Sequence, residues 1–236
     1  MNTLVVHPNA RQLAVNVADR IDEDLRVGLS STNTATLALA GGSTPLPIYN
    51  LLAERPLAWH HVAVVPTDER WVAADHVDRN SSRLADALSP ASPRFVALVD
   101  GRPSGNTSTE FARESLREFT GIFDHVLLGM GSDGHFASLF PGSPLTAITP
   151  HDDQDVVAVV PDPLPKSGPY PRISLTLSRL LRARRITLAL TGEEKRQTFE
   201  RAVRKEADPS ELPIAALVRA AGSRLSVHWS PTEHES

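Results

Sequence analysis

The chain has 236 residues, of which 41% are hydrophobic and 22% charged, and its formal net charge at pH 7 is -4. These values are ordinary for a globular protein with a sizeable core, and they argue against a surface for nucleic acid or anionic membranes. The sequence contains no cysteine, which excludes disulfides, thiol nucleophiles and cysteine zinc sites; it also lacks signal-peptide features and long apolar runs, so we expect a soluble cytoplasmic protein.

The first half of the chain alternates helix and strand patterns. Apolar residues recur at helical spacing over residues 9–29 and predict an amphipathic helix. A short buried strand, Thr36–Ala40, ends at two glycines, and we expect Ser43 or Thr44 to cap the next helix with Pro45 near its first position. The other elements predicted here are strands over Val62–Val65 and Arg94–Val99, a helix over Glu110–Phe119 and a buried strand beginning at Phe123.

The second half continues the alternation. The loop Pro161–Pro171 holds five prolines, too many for a regular element. Strands are predicted over Val156–Val160, Ile173–Leu177, Ile186–Leu190 and Leu225–Trp229, and a helix over 191–203 with Thr191 and Glu194 spaced as a capping box. The alternation predicts an α/β fold in which a mostly parallel sheet is covered on both faces, and a single domain over residues 1–236.

A glycine-rich turn follows the strand that begins at Phe123. Its glycines, Gly129, Gly131 and Gly134, satisfy the G-x-G-x-x-G dinucleotide fingerprint. A pyrophosphate on this turn would lie against Asp133, and Pro141 cuts short the helix that the fingerprint requires, so we interpret the turn differently.

The same turn carries the strongest candidate for chemistry. Imidazole titrates at roughly pH 6.5, so His135 can accept a proton from water near neutral pH, and Asp133 can hold it in place. The alternative is a histidine that only caps the turn. No H-E-x-x-H or G-x-S-x-G pattern is present, so we expect neither a metal site nor a serine hydrolase elbow.

A second group of residues is suited to a phosphate. Gly42, Ser43 and Thr44 join a strand to a helix N-terminus, where backbone N–H groups and the helix dipole favour an anion. Lys195 lies in the first turn of its predicted helix, a position that is unfavourable for a cation unless an anion is nearby. Arg172 follows the stiff proline loop and completes a plausible clamp for a phosphate monoester. Alternatively, both side chains simply face solvent.

Polar residues also follow the strand Val62–Val65. Asp68 and Arg70 can bind sugar hydroxyls or pair with each other, and the alternative is a solvated loop. Asn80 can contact a substrate oxygen or merely form an Asx turn.

Seven segments, in this order, resemble the 6-phosphogluconolactonase family. The most specific is Gly129–Gly142, with Asp-Gly-His-Phe-Ala-Ser-Leu-Phe-Pro at its centre. The other six are Leu39–Pro45, Thr67–Val72, Asp78–Asn80, Pro171–Thr176, Thr191–Lys195 and Pro209–Pro213. The sequence departs from the family pattern at Thr67, where glycine is usual, at Ala73, where proline is usual, and over Ser230–Ser236.

The resemblance implies a three-layer α/β sandwich with a Rossmann-like central sheet, shared with glucosamine-6-phosphate deaminase and ribose-5-phosphate isomerase. It implies hydrolysis of 6-phosphoglucono-δ-lactone in the pentose phosphate pathway, by a monomer or weak homodimer, without metal or cofactor. His135 would be the general base and Asp133 its orienting partner. Gly42, Ser43, Thr44, Arg172 and Lys195 would hold the phosphate, and Asp68, Arg70 and Asn80 would line the sugar side.

Two related functions are weaker alternatives. An aminosugar-phosphate deaminase continues after Asp-Gly-His with a segment that carries a further catalytic Glu, whereas this chain continues with Phe136–Pro141. A phosphosugar-sensing module of a transcription regulator would carry an added DNA-binding helix-turn-helix, for which neither the N-terminal residues nor the net charge leave room.

Overall fold

A computed structural model describes residues 4–102, 108–151, 153–164, 168–204 and 206–231, apart from the side chains of residues 145–146. Within them the strands are β1 (Leu4–Val6), β2 (Ala35–Leu39), β3 (Val62–Pro66), β4 (Asp68–Arg70), β5 (Arg94–Phe95), β6 (Phe123–Leu128), β7 (Val156–Val159), β8 (Arg172–Leu175), β9 (Ala183–Thr191) and β10 (Leu225–Ser230). The α-helices are α1 (Ala10–Thr32), α2 (Leu46–Ala53), α3 (Asn80–Ala87), α4 (Glu110–Ser115), α5 (Leu177–Leu181), α6 (Glu193–Ala202) and α7 (Ile214–Ala221).

A seven-stranded parallel sheet lies at the centre, in the order β1-β10-β9-β6-β2-β3-β5. Every residue of β3 and β6 is buried, as expected for strands covered on both faces. Helices α1 to α3 cover one face, where Leu13, Val17 and Ile21 pack with Leu37 and Val64. Helices α4 to α7 contribute to a second core on the other face. The predicted three-layer α/β sandwich is therefore confirmed.

A second sheet was not predicted. It has three antiparallel strands in the order β4-β8-β7, so the strands predicted over Val156–Val160 and Ile173–Leu177 do not join the central sheet. The strand β8 ends at Leu175 because Thr176 caps α5, its hydroxyl accepting a hydrogen bond from Arg179 N. The charged tripeptide Asp68–Arg70, expected in a loop, is strand β4.

Two helix-capping predictions are wrong. Helix α2 begins after Pro45 without a side-chain cap, and Ser43 and Thr44 lie in the bend before it. Helix α6 begins after Gly192, because Thr191 still belongs to β9, where it pairs with Ser230. Gly192 has φ 88°. At neither helix N-terminus does the predicted residue accept a capping hydrogen bond.

The other predicted elements are confirmed with changed bounds. The first helix extends over Ala10–Thr32 and is capped by Asn9, whose side chain accepts from Gln12 N at 2.8 Å. The strand predicted over Arg94–Val99 is only Arg94–Phe95, and the helix over Glu110–Phe119 divides into α4 and a 3₁₀ turn at Arg117–Phe119. Helices α3, α5 and α7 and strand β1 were not predicted. Residues 165–167 of the proline loop and 232–236 of the C-terminal segment lie outside the described residues.

The strand order changes direction between β2 and β6. From β2 the chain proceeds to β3 and β5 on one side, and from β6 it proceeds to β9 and β10 on the other, where β1, the first strand of the chain, forms the edge. The crevice beyond the carboxyl ends of two such strands is where open α/β sheets bind ligands. The turns at Gly41–Thr44 and Gly129–His135 both leave the sheet here.

Candidate active site

A cavity of about 310 Å³ lies at this crevice. Its volume lies in the range of small-molecule sites, which begins at roughly 300 Å³. Nine of the ten predicted site residues line it: Gly42, Ser43, Thr44, Asp68, Arg70, Asn80, His135, Arg172 and Lys195. Seven further lining residues were not assigned to the site, because none has a charged or hydroxyl-bearing side chain: Ala40, Gly41, Pro45, Gly129, Met130, Gly131 and Ala137.

The tenth residue, Asp133, does not line the cavity but contacts His135. Its Oδ1 lies 2.6 Å from His135 Nδ1 and 3.1 Å from the backbone N of His135. Burial alone would raise the pKa of Asp133, but the hydrogen bonds and charge of His135 outweigh it and hold that pKa below its ordinary value. The carboxylate is therefore an acceptor, Nδ1 carries a proton, and the lone pair of neutral His135 resides on Nε2.

Two contacts fix the plane of the His135 ring. A Cβ atom on Gly131 would lie 2.2 Å from both Cε1 and Nδ1 of the imidazole, so only glycine permits this approach. Phe140 packs on the ring with centroids 4.4 Å apart. The turn is anchored by Thr198 of α6, whose hydroxyl donates to Ser132 O at 2.9 Å. Among the described residues Nε2 of His135 has no hydrogen-bond partner.

The turn after β2 presents unused backbone donors. No hydrogen-bond acceptor among the described residues contacts the N–H groups of residues 41–44. Gly42 adopts φ 100°, a conformation that suits glycine and bends the backbone around the cavity. Thr44 Oγ1 lies 3.3 Å from Thr191 Oγ1, which places this turn beside the start of α6. Such a concave set of N–H groups favours an anion.

Lys195 is the third residue of α6 and lines the same cavity. Its ammonium forms no ion pair with any described residue. Burial lowers the pKa of Lys195, and the charge of Glu194 partly opposes this change. A half-buried cation without a partner, beside free N–H groups, favours a bound anion.

Two arginines lie side by side in the small sheet. Arg70 and Arg172 are directly opposite in the antiparallel register of β4 and β8. Arg70 donates to Asp78 O at 2.6 Å and Arg172 to Gly168 O at 2.9 Å. The Nε atom of each arginine is buried and has no hydrogen-bond partner in the part of the chain that the structure describes. Burial lowers the pKa of Arg172, although the charge of Asp68 opposes this change. Like charges directly opposite are unfavourable unless an anion joins them.

Asn80 contributes a buried acceptor. Its Nδ2 donates to Asp68 O at 2.9 Å, which fixes the orientation of the amide. Its Oδ1 is buried and has no hydrogen-bond partner among the described residues. A Cβ atom on Gly41 would lie only 2.2 Å from this oxygen. This oxygen can accept a hydrogen bond from a ligand hydroxyl but not from an ionised phosphate.

Glu69 is a structural residue that sequence reasoning left aside. It is fully buried, and its carboxylate accepts from the backbone N–H groups of Arg70, Asn80 and Ser81, each at 2.8 Å. It therefore caps α3 and sets the position of Asn80. Its place in the Asp-Glu-Arg cluster was the available signal, but the cluster does not show which carboxylate faces inward.

The described residues contain no group of three His, Cys, Asp or Glu side chains placed to hold a metal ion. A helix with the length and apolarity to cross a bilayer is likewise missing from the described part of the chain.

The chain is similar to known proteins of one family. The family model for glucosamine-6-phosphate isomerases/6-phosphogluconolactonase matches residues 8–229, a span that includes every residue lining the cavity. A 6-phosphogluconolactonase of Pseudomonas aeruginosa is 36% identical over 94% of this chain and 90% of its own. One of Rhizobium meliloti is 33% identical over 96% and 97%, respectively. The crystal structure of a 6-phosphogluconolactonase from Shewanella baltica superposes with a TM-score of 0.88 at 31% identity, covering 98% of both chains.

Proposed function

The chain belongs to the family of glucosamine-6-phosphate isomerases and 6-phosphogluconolactonases, and we propose that it hydrolyses 6-phosphoglucono-δ-lactone to 6-phosphogluconate, the lactone-opening step of the pentose phosphate pathway. The observation that carries the proposal is that His135, oriented by Asp133, lines a cavity with an anion-binding turn, and that its Nε2 has no hydrogen-bond partner among the described residues. We also propose that residues 1–236 form one domain, because both sheets contribute walls of this cavity.

His135 performs the proton transfers. Its Nε2 removes a proton from water while the water oxygen attacks the lactone carbonyl carbon, and the carbonyl oxygen becomes an oxyanion. When the oxyanion collapses, the bond between this carbon and the ring oxygen breaks, and His135 returns the proton to that oxygen. The products are a hydroxyl group and a carboxylic acid, which ionises. Asp133 fixes the tautomer and stabilises the transient imidazolium.

The phosphate binds at the opposite side of the cavity. The free N–H groups of residues 41–44, the hydroxyls of Ser43 and Thr44 and the ammonium of Lys195 form its site, and Arg172 supplies a further charge. Each charge-assisted hydrogen bond of this kind is worth about 1.5–3 kcal/mol. The binding energy of a group remote from the reacting carbon thereby holds that carbon near His135.

The sugar hydroxyls lie against Asp68, Arg70 and Asn80. The buried, unpartnered Oδ1 of Asn80 requires a donor, which a sugar hydroxyl supplies and a phosphate dianion does not. This difference supports one orientation of the substrate, with the phosphate at Lys195 and the hydroxyls at Asn80.

The direct test compares hydrolysis of freshly prepared 6-phosphogluconolactone with that of the unphosphorylated lactone. We expect the phosphorylated lactone to have a much higher kcat/KM, with no metal added. Equal values for both lactones would contradict the phosphate site. Release of ammonia from glucosamine 6-phosphate would instead identify a deaminase.

A further inference from the structure

We propose that Ser138, together with Thr67, is a positioning residue that fixes the Asp68 carboxylate in the cavity wall and links it to the turn of His135. This inference rests on the proposed function for its kinetic consequences. It concerns two hydroxyl groups that do not line the cavity themselves.

The contacts are short and buried. Ser138 Oγ donates to Asp68 Oδ2 at 2.5 Å, and Thr67 Oγ1 donates to Asp68 Oδ1 at 3.1 Å. Ser138 and Thr67 are both 0% exposed and Asp68 is 5% exposed. The Ser138 bond has the length of a charge-assisted bond between a hydroxyl and a carboxylate. Each carboxylate oxygen therefore has its own donor.

Attachment at both oxygens removes the rotation that a carboxylate otherwise retains. The remaining lone pairs of Asp68 are available to a substrate hydroxyl, and its charge acts on Arg172. A polar group held in one orientation loses little entropy when the substrate binds, and small misplacements of such groups reduce the rate.

Ser138 also joins three parts of the site. It lies three residues after His135, and its N–H donates to Ser174 Oγ of β8 at 3.2 Å. Asp68 belongs to β4, so the Ser138 hydroxyl connects the catalytic turn to the small sheet.

Thr67 makes the corresponding link between the two sheets. Its N–H donates to Leu39 O at 3.0 Å, and its carbonyl accepts from Leu175 N at 2.8 Å. The residue is therefore fixed at the junction of the sheets, with its side chain directed to Asp68.

The kinetic test uses Ser138→Ala and Thr67→Val, which remove one hydroxyl each without adding bulk. We expect kcat to fall about 10–100-fold for Ser138→Ala and about tenfold for Thr67→Val. KM should change by less than about threefold because the phosphate contacts remain. Thr67→Ser, which retains the hydroxyl, should stay within about twofold of the wild type.

A double-mutant cycle with Asp68→Asn separates positioning from general structural damage. If Ser138 acts through Asp68, Ser138→Ala should cost less than about twofold in kcat when Asp68 is already asparagine. The matched control is Thr198→Val, which removes a buried hydroxyl that holds the same turn through Ser132 O but does not touch Asp68. Its effect should be equal in both backgrounds. An equal loss for Ser138→Ala in both backgrounds would overturn the proposal.

A crystal structure of Ser138→Ala gives a readout that does not depend on which substrate the protein hydrolyses. We expect the Asp68 carboxylate to rotate away from its wild-type position. An unchanged carboxylate would overturn the positioning role even if the wild-type protein hydrolyses the lactone. A wild-type protein without lactonase activity would refute the proposed function alone.

Discussion

Two His–Asp pairs among the described residues have nearly equal geometry but different surroundings. In the cavity, His135 Nδ1 lies 2.6 Å from Asp133 Oδ1, and the His135 side chain is 30% exposed. Beneath α1, His125 Nδ1 lies 2.7 Å from Asp24 Oδ2, and the His125 side chain is fully buried. The Asp–imidazole contact itself does not distinguish a catalytic residue from a structural one.

The two pairs differ in the contacts of Nε2, the second ring nitrogen of each histidine. His125 Nε2 is bonded to Thr187 Oγ1 at 3.0 Å, and Asp24 is also paired with Arg185 at 2.9 Å. Burial lowers the pKa of His125 even though the bond to Asp24 opposes this change. His135 Nε2 has no such partner among the described residues. An Asp–His pair can transfer protons to and from a ligand when Nδ1 is hydrogen-bonded to the aspartate and Nε2 is available to the ligand.

The largest effect that tests this comparison is the loss of either imidazole. We expect His135→Ala to lower kcat by about 10²–10⁴-fold with a much smaller change in KM, because general-base catalysis is lost. We expect His125→Gln to lower the free energy of unfolding by about 1–3 kcal/mol, because buried partners lose their bonds, and to leave kcat within about twofold. Steady-state kinetics and urea unfolding measure both. Near-normal turnover by His135→Ala would refute its role.

The carboxylates can be compared in the same way. Asp133→Asn presents an amide that can donate to Nδ1, which moves the ring proton to Nε2 and removes the base. We expect kcat to fall about 10²-fold with the fold retained. The matched change Asp24→Asn should lower stability and spare turnover. If both variants have the same kcat, the tautomer argument fails.

The pH dependence of the free energy of unfolding tests the buried region beneath α1. His228 lies in the region beneath α1, 3.0 Å from His7, and burial together with the charges of His7, Arg20 and His125 lowers its pKa to about 4 from 6.5. Between these values the unfolded chain binds a proton that the folded chain does not, so stability falls as the pH decreases from about 6.5 towards 4.

We expect His228 to account for a loss of about 2–3 kcal/mol in the free energy of unfolding between pH 7 and pH 4.5. Urea unfolding at the two pH values measures this loss. His228→Gln cannot titrate, so its stability should fall by correspondingly less over the same interval. An identical pH dependence in variant and wild type would show that His228 is not responsible.

The smallest expected difference is the effect on KM of removing one cation from each region, Lys195 from the cavity and Arg185 from its pair with Asp24. Lys195→Ala should raise KM by about 10–20-fold, equivalent to about 1.5 kcal/mol, because the phosphate loses one charge-assisted bond. The ratio of kcat/KM for the phosphorylated lactone to kcat/KM for the unphosphorylated lactone should also decrease. Arg185→Ala, which removes a cation already paired with Asp24, should leave KM unchanged. An unchanged KM for Lys195→Ala would remove Lys195 from the phosphate site.

The parallel sheet was predictable because apolar runs and glycine turns are local signals. The strands at Phe123–Leu128 and Leu225–Ser230 follow from their buried residues, and α1 follows from its helical periodicity. The small sheet was not predictable, because Asp68–Arg70 carries three charged side chains and forms a strand only by pairing with β8.

The sequence alone indicated the two glycine turns and Lys195, because they follow the carboxyl ends of β2, β6 and β9, which meet at one edge of the central sheet. Asp68, Arg70 and Arg172 reach the same cavity from the small sheet, whose pairing the sequence did not predict. Only the tertiary structure decided how each of them is held. It placed Ser138 against Asp68, 70 residues away in the chain, and gave His125 a second partner, whereas His135 Nε2 has none within the described ranges. These relations depend on contacts between strands that are distant in sequence, and spacing along the chain carries no information about which polar atoms such contacts occupy.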